Sequence, residues 1–251
     1  MKSAVKKIAK LIWPVWAIYR IISIRMVRKA LRPIAKRKCN ICDYSGYFGI
    51  KGRPARLDAK CPKCDSLERH RLMMLGISRN QILLNDGQSL NVLHFAAEPM
   101  LEKIFRKKWP KYRTADLYKK ADLKLNLENI ELPDASVNLI IANHVLEHVD
   151  DSKAGLELSR ILTEKGILLC MVPIIEGWET TYENDLVNSD EDRWLHFGQG
   201  DHIRFYGRDF RERIERGGFK LINEITAEGE DVIKYGLLRG AKVFVFEKST
   251  V

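Results

Sequence analysis

Asn143, His144, Glu147 and His148 cluster where an apolar run, residues 137–149 (VNLIIANHVLEHV), turns abruptly polar. Leu139, Ile140, Ile141 and Ala142 before them have the unbroken apolar character of a strand buried on both faces. In an open parallel sheet, ligands bind beyond the carboxyl ends of such strands, so Asn143 and His144 mark a candidate active-site rim. A neutral imidazole suits proton removal near neutral pH, its reference pKa being about 6.5. His144 is one candidate general base, and His202, in the segment DHIRFYG, is the other. Asp201 or Arg204 would then orient a substrate, with Trp178, Tyr182 and Trp194 as a lid; the alternative is a surface loop with locally packed aromatics. Glu147 and His148 read equally well as the start of the next helix. The order H-x-x-E-H also occurs in some zinc proteases. Here it begins on a strand tip and not inside a helix, which speaks against that reading.

Cys39-x2-Cys42 and Cys61-x2-Cys64 form the second chemical set. Two such pairs, eighteen residues apart, offer four soft thiolates at zinc-ribbon spacing. Four Cys ligands leave no position for water, so the zinc would be structural. Gly46, Gly49, Gly52 and Pro54 between the pairs suit the turns of a small hairpin module. A redox dithiol pair or two disulfides are the alternatives, disfavoured by the spacing and by the lack of a recognisable secretory signal. Cys170, inside the apolar run 167–172, reads as a core residue. Asp65 reads as the N-cap of a helix over residues 66–77, with Glu68 completing a capping box. The charged turn Glu68, Arg69, His70 then reads as a solvated helix end.

The elements that must position these groups follow from periodicity. From residue 90 onward strands and helices alternate, the pattern of a doubly wound sheet. Strands are expected over residues 91–95, 112–117, 137–142, 167–172, 219–225 and 242–247, with a short strand or turn over 123–127. Helices are expected over 101–109, 152–162 and 209–216, and a polar, aromatic insertion over 176–207. The 251 residues suffice for one α/β domain and a small module. The division is a basic amphipathic helical segment (1–37), the ribbon and its following helix (38–77), and the sheet domain (78–251).

The net charge of +10 is unevenly placed. Residues 1–38 hold twelve Lys or Arg and no acid, leaving 31 basic against 33 acidic residues elsewhere. A body-wide phosphate-binding surface is therefore disfavoured. Ile8, Leu11, Ile12, Val15, Trp16, Tyr19, Ile22 and Met26 share one helical face, with Lys6, Lys7, Lys10, Arg25, Arg28 and Arg32 mostly opposite. Pro14 is expected to kink or divide this helix. The longest charge-free run is nine residues, far short of the roughly 20 that a membrane span needs. Basic residues with two Trp and a Tyr suit the surface of an anionic leaflet, giving peripheral attachment on the cytoplasmic face. Docking on the chain's own body or on a partner is the alternative.

Two places bear on a cofactor carrying ribose. Asp116 ends the second strand, 21 residues after Phe95, where a carboxylate can accept both ribose hydroxyls. After the first strand the chain reads His94-Phe95-Ala96-Ala97-Glu98-Pro99, with no G-x-G-x-x-G. A pyrophosphate needs close backbone approach at a helix N-terminus, which this turn does not offer. The small Ala96 and Ala97 are poor evidence for NAD or FAD and compatible with S-adenosylmethionine, which has no phosphate.

From Cys39 onward the pieces CPKCDSLERHR, VLHFAAEP, YRTADLY, ELPDASVNLIIANHVLEHVDD, LTEKGILLCMVPI, LHFGQGDHIRFYGRDF and RGGF occur in order. In this combination the chain resembles bacterial class I S-adenosylmethionine-dependent methyltransferases of the type 11 group with an N-terminal zinc ribbon. Such sequences usually carry Pro where Ala97 stands and Asp where Asn126 and Asn138 stand. The resemblance implies a Rossmann-like α/β fold behind a small ribbon and an amphipathic helix. It implies that His94, Phe95, Ala96, Ala97 and Glu98 surround the methionine part of the cofactor. Asp116, with Leu117 beside it, would hold the ribose; Asn126 and Leu127 would flank the adenine. Asn143 and His144 would face the sulfonium and the acceptor. The leading reading is a methyltransferase working on a lipid-, glycan- or polyprenyl-linked acceptor at a membrane. The alternatives are an RNA methyltransferase gripping nucleic acid with ribbon and tail, and a non-catalytic zinc-containing scaffold.

Overall fold

The computed structural model describes residues 14–30, 32–52, 55–82 and 90–249. The expectations for Lys6, Lys7, Ile8, Lys10, Leu11, Ile12 and Pro54 fall outside those residues. Helix α1, Val15–Ala30, starts directly after Pro14, whose carbonyl accepts the Ala17 and Ile18 N–H groups. Its side chains lie almost wholly in solvent, the apolar Trp16, Tyr19 and Met26 included.

Four short strands follow: β1 (Arg37–Lys38), β2 (Ser45–Gly46), β3 (Gly49–Lys51) and β4 (Arg56–Lys60), paired as two antiparallel hairpins. Each Cys-x2-Cys pair is followed by an Asp in the left-handed region, Asp43 at φ 58° and Asp65 at φ 61°. The Asp43 and Asp65 N–H groups return to the Cys39 and Cys61 carbonyls. Asp tolerates this conformation, so both knuckles close alike. That use of Asp65 corrects the expected helix start. An N-cap needs extended backbone, and Leu67 supplies it, so α2 runs Glu68–Ser78.

The main sheet has six strands: β5 (Asn91–Phe95), β6 (Lys111–Ala115), β7 (Val137–Asn143), β8 (Leu162–Met171), β11 (Phe219–Thr226) and β12 (Lys242–Lys248). Their order is β11-β12-β8-β7-β5-β6, with β12 antiparallel to both neighbours and all other pairs parallel. Between β8 and β11 lie a two-stranded ribbon of β9 (Tyr182–Glu183) and β10 (Arg204–Phe205), helix α5 (Asp190–Phe197) and helix α6 (Phe210–Arg216). Residues 123–127 form only single bridges. Two helices escaped the periodicity: α5 inside the insertion, where only Phe197 is buried, and α7 at Gly229–Tyr235, which has no buried residue to print an apolar stripe.

Successive strand residues alternate between two apolar layers. Leu93, Phe95, Ile140, Leu168, Phe244 and Phe246 pack on α4 (Asp151–Ile161) and α6. Val92, Leu139, Ile141 and Leu169 pack on α3 (Pro99–Lys108) and on Leu72, Met73 and Leu75 of α2. The helix leaving the cysteine knuckles thus covers one face of the main sheet. From β5 the chain moves to β6, then crosses back to β7 on the other side of β5. The topological switch point, where an open α/β sheet binds its ligand, is therefore at the carboxyl ends of β5 and β7.

Candidate active site

Strand register alone assembles the centre of this site. Phe95 pairs with Ala115 on one side and with Ala142 on the other. The next residues, Asp116, Ala96 and Asn143, therefore stand side by side on three strand tips, about 4.8 Å apart from strand to strand. Ala96 turns out of β5 at φ 47° while its N–H bonds to the Ala115 carbonyl at 2.9 Å. Ala96, Ala97, Asp116 and Leu117 are half-buried, leaving the crest open to a ligand. The Asp116 Oδ1 accepts the N–H groups of Tyr118 (2.8 Å) and Lys119 (2.7 Å), which fixes the carboxylate. Its Oδ2 makes no hydrogen bond among the described residues, so an acceptor is held ready for a diol. Asn143 is buried, with Nδ2 facing Met73 Sδ at 3.7 Å and Oδ1 unpartnered. A buried amide oxygen without a donor fits an ammonium group. S-adenosylmethionine carries one on its methionine part and a diol on its ribose, so the residues present fit that cofactor.

Other expected residues are placed differently. The His94 side chain is fully buried, its Nδ1 2.7 Å from Tyr112 Oη and its Nε2 3.5 Å from Glu98 Oε2. Phe95 lies in the core. Glu98 receives His70 Nε2 at 3.0 Å and Arg69 Nε at 3.2 Å. Burial alone would raise its carboxyl, but His70 and His94 hold it well below the usual carboxylate range. His94 and Glu98 therefore act on the crevice through the backbone of the turn between them. Asn126 is exposed and caps its own turn through the Glu128 N–H, while Leu127 is buried. Asn138 ties β7 to its neighbours, accepting from Asn91 N–H at 2.9 Å and donating to Thr163 Oγ1 at 3.2 Å.

Past β7, His144 sits at φ 53° with its N–H on the Met171 carbonyl at 2.7 Å. A one-turn 3-10 segment, Leu146–His148, follows where the helix start was the alternative. It brings Glu147 back, so that His144 Nδ1 lies 3.0 Å from Glu147 Oε1. Burial alone would raise the Glu147 carboxyl; the His144 contact and the nearby imidazoles keep it lowered and anionic. An anionic carboxylate can only accept, so Nδ1 of His144 donates to it, and in the neutral imidazole Nε2 is the nitrogen with the lone pair. The His144 side chain is 32% exposed and Glu147 is fully buried. This is the arrangement of an oriented general base.

The insertion docks on the same turn. The Ile203 N–H bonds to the Glu147 carbonyl at 3.0 Å. His202 is buried with Nδ1 unpartnered, and burial lowers its pKa. His148 and His202 meet edge to face at 4.7 Å. Arg204 donates through Nη1 to the Val149 and Leu146 carbonyls and through Nε to Glu183, so it clamps the insertion down. Trp178, Tyr182, Phe197 and Phe205 form a chain of edge contacts, with Trp178 and Trp194 about two-fifths exposed.

The charged turn of α2 is where sequence reasoning fell short. Glu68, His70 and Arg71 are buried, with Arg71 fully enclosed. Arg71 donates to the carbonyls of Ser66, Ala59, Tyr235 and Gly236 and stacks over Phe48 at 4.6 Å. His70 accepts the Leu67 N–H on Nδ1 at 3.2 Å and faces Glu98 with Nε2. The available signal was spacing: Glu68, Arg71, Leu72 and Leu75 fall on one helical stripe.

The four cysteines converge as expected, with all thiols free. Cys39 and Cys64 Sγ lie 3.6 Å apart, as do Cys42 and Cys61 Sγ. Four sulfurs at about 2.3 Å from a tetrahedral zinc stand about 3.8 Å from each other, whereas a disulfide requires about 2.05 Å. The geometry fits zinc.

The sheet order and the switch-point crevice define the Rossmann-like methyltransferase fold. A family model described as a methyltransferase domain matches residues 24–224, and the chain belongs to that family. It is an S-adenosylmethionine-dependent methyltransferase. No curated protein matches it. Among solved structures it is similar to the YcgJ protein of Bacillus subtilis, at 13% identity and TM-score 0.50 over 72% of this chain and 100% of the other. An S-adenosylmethionine-dependent methyltransferase from Mesorhizobium loti shares 12% identity over 69% of this chain and 97% of its own, at TM-score 0.48. The 1,6-didemethyltoxoflavin-N1-methyltransferase of Burkholderia thailandensis, solved with S-adenosylhomocysteine, shares 10% over 72% and 87%, at TM-score 0.46.

Proposed function

We propose that the chain methylates a hydroxyl or amine of a lipid- or glycan-linked acceptor at an anionic membrane surface, with structural zinc in the four-cysteine module. When bound, the cofactor supplies a methyl group already activated by positive sulfur. Asp116 holds its ribose, Asn143 accepts from its ammonium, and the Ala96–Ala97 turn leaves room for its chain. His144, at the tip next to Asn143, takes the acceptor proton on Nε2, and Glu147 stabilises the imidazolium through Nδ1–H. His202, the other candidate base, is buried and less able to reach an acceptor. His144→Ala should lower turnover about 100-fold or more while leaving cofactor affinity unchanged. Single-turnover methyl transfer with parallel binding measurements checks this; wild-type turnover in the variant rejects the role.

The observation that carries the membrane reading is α1. Trp16, Tyr19 and Met26 are each more than three-fifths exposed, beside Arg20, Arg25, Arg28 and Lys29. Such a helix lays its aromatic side into the headgroup region and its cations against anionic lipid. No helix among the described residues is long and apolar enough to cross a membrane. Vesicles of phosphatidylglycerol and phosphatidylethanolamine should co-sediment the full chain, and a variant with Trp16, Tyr19 and Met26 all changed to Ser should stay in solution. Equal sedimentation of both, or binding of RNA in preference to vesicles, rejects the membrane reading.

A further inference from the structure

Glu147, His148 and His202 converge beside the turn that carries His144. Each offers one ligand atom, and these atoms lie within 4.8 Å of one another. The three come from two elements that are sewn together: the 3-10 turn after β7 and the insertion, joined by Ile203 N–H on the Glu147 carbonyl. We infer that they form a second metal site, distinct from the four cysteines, for a divalent transition-metal ion of the zinc or iron type.

The free ligand atoms are those that other contacts leave unused. Glu147 Oε1 is occupied by His144, while its Oε2 is buried and unpartnered. His202 Nδ1 is likewise buried and unpartnered. His148 Nδ1 lies 2.9 Å from the Asp201 carbonyl oxygen, which can only accept, so Nδ1 carries the proton and Nε2 is left as a lone-pair donor. A ring nitrogen tied to a backbone carbonyl, and a carboxylate steadied by a second hydrogen bond, are the outer contacts that metal ligands characteristically have. A satisfied core would not leave two buried polar atoms of complementary ligand type facing one cluster. A cation between them supplies the missing partner for both.

Two imidazoles and one carboxylate suit zinc, iron, cobalt or nickel more than magnesium or calcium, which prefer all-oxygen shells. Around a tetrahedral zinc with bonds of about 2.0–2.1 Å, neighbouring ligand atoms stand about 3.3 Å apart, so small side-chain rotations close the cluster. Three protein ligands leave at least one position for water or for an oxygen of a bound molecule. The H-x-x-E-H order fails as a protease-like site because it does not lie along a helix. Its Glu and second His find their third ligand in the insertion instead.

The test uses the full chain with its cysteine module zinc-loaded, titrated with Co2+ and followed by visible absorption. One further equivalent is expected, with the weak bands of nitrogen and oxygen ligation and without thiolate-to-cobalt charge transfer. Glu147→Gln, His202→Ala and the half-exposed His148→Ala should each weaken that equivalent by about 100-fold or more, with the cysteine-bound zinc retained as the sign of a folded chain. No second equivalent, a second equivalent accompanied by thiolate bands, or one that persists in His148→Ala and His202→Ala overturns the assignment. Because the readout is metal binding, its failure leaves the methyl-transfer reading untouched.

Discussion

Removing zinc from the four-cysteine module is expected to unfold residues 37–67 and to loosen one whole face of the sheet. Among the described residues the apolar cluster of that module is Cys39, Phe48 and Cys61 with a few partly covered neighbours, and Ala59 and Leu67 are the other buried apolar residues. A core that small does not sustain a fold without a cross-link or a metal. In small zinc modules the metal contributes roughly 10–16 kcal/mol, and apo forms are unfolded. The effect should not stay local. Helix α2 begins four residues after Cys64, and Leu72, Met73 and Leu75 on it cover Leu139, Ile141 and Leu169. Its His70 and Arg69 hold Glu98 at the turn after β5, the turn proposed to receive the cofactor. Strong chelation, or Cys61→Ser, should therefore lower the melting temperature and abolish cofactor binding together. Calorimetric scans with and without chelator read the first, and titration with cofactor the second. A chelated chain that binds cofactor normally would show that module and crevice are independent.

Replacing Arg71 by methionine should cost about 3–5 kcal/mol of stability. The guanidinium is fully buried and satisfies four backbone carbonyls, two in the ribbon and its knuckle and two at the end of α7. Methionine fills most of the volume but leaves those carbonyls buried without donors. Gly236, whose carbonyl is one of the four, turns at φ 58°, and a Cβ there would stand 3.1 Å from the Asp58 carbonyl oxygen. The contact between α7 and the ribbon is thus tight, and water has little room to replace the guanidinium. Lysine should recover only part of the loss, because one ammonium cannot serve four acceptors in a planar fork. Urea unfolding of the three proteins measures the differences. A methionine variant within about 1 kcal/mol of wild type would contradict this account of how the two parts are held together.

Most of the sheet was legible because buried parallel strands print continuous apolar runs, as Leu139 to Ala142 do. The cysteine spacing likewise declares its own geometry. Other features were not legible, for physical reasons. Helix α7 buries no residue, so it leaves no periodic stripe. The early helix start expected at Asp65 mistook a left-handed knuckle residue for a cap, since Asp favours both. The Glu68–Arg71 turn looked solvated because its satisfaction comes from Arg56, Glu98 and the end of α7, all distant in sequence. The same distance hides the pairing of His148 with His202, which only the docked insertion creates. The strand tips carrying Asp116, Ala96 and Asn143 followed from the strand pattern; the inward turn of His94 and the exposed position of Asn126 did not.

Cofactor binding by the zinc-loaded full chain tests the central claim most directly. Isothermal titration with S-adenosylmethionine and S-adenosylhomocysteine should give one site per chain. Asp116→Asn keeps the Oδ1 that caps the Tyr118 and Lys119 N–H groups but removes the charge. It should weaken binding about 10–100-fold, or ~1.4–2.7 kcal/mol. No heat at about 1 mM cofactor, or an affinity indifferent to the Asn substitution, would contradict the placement of the nucleoside over the tips of β5, β6 and β7.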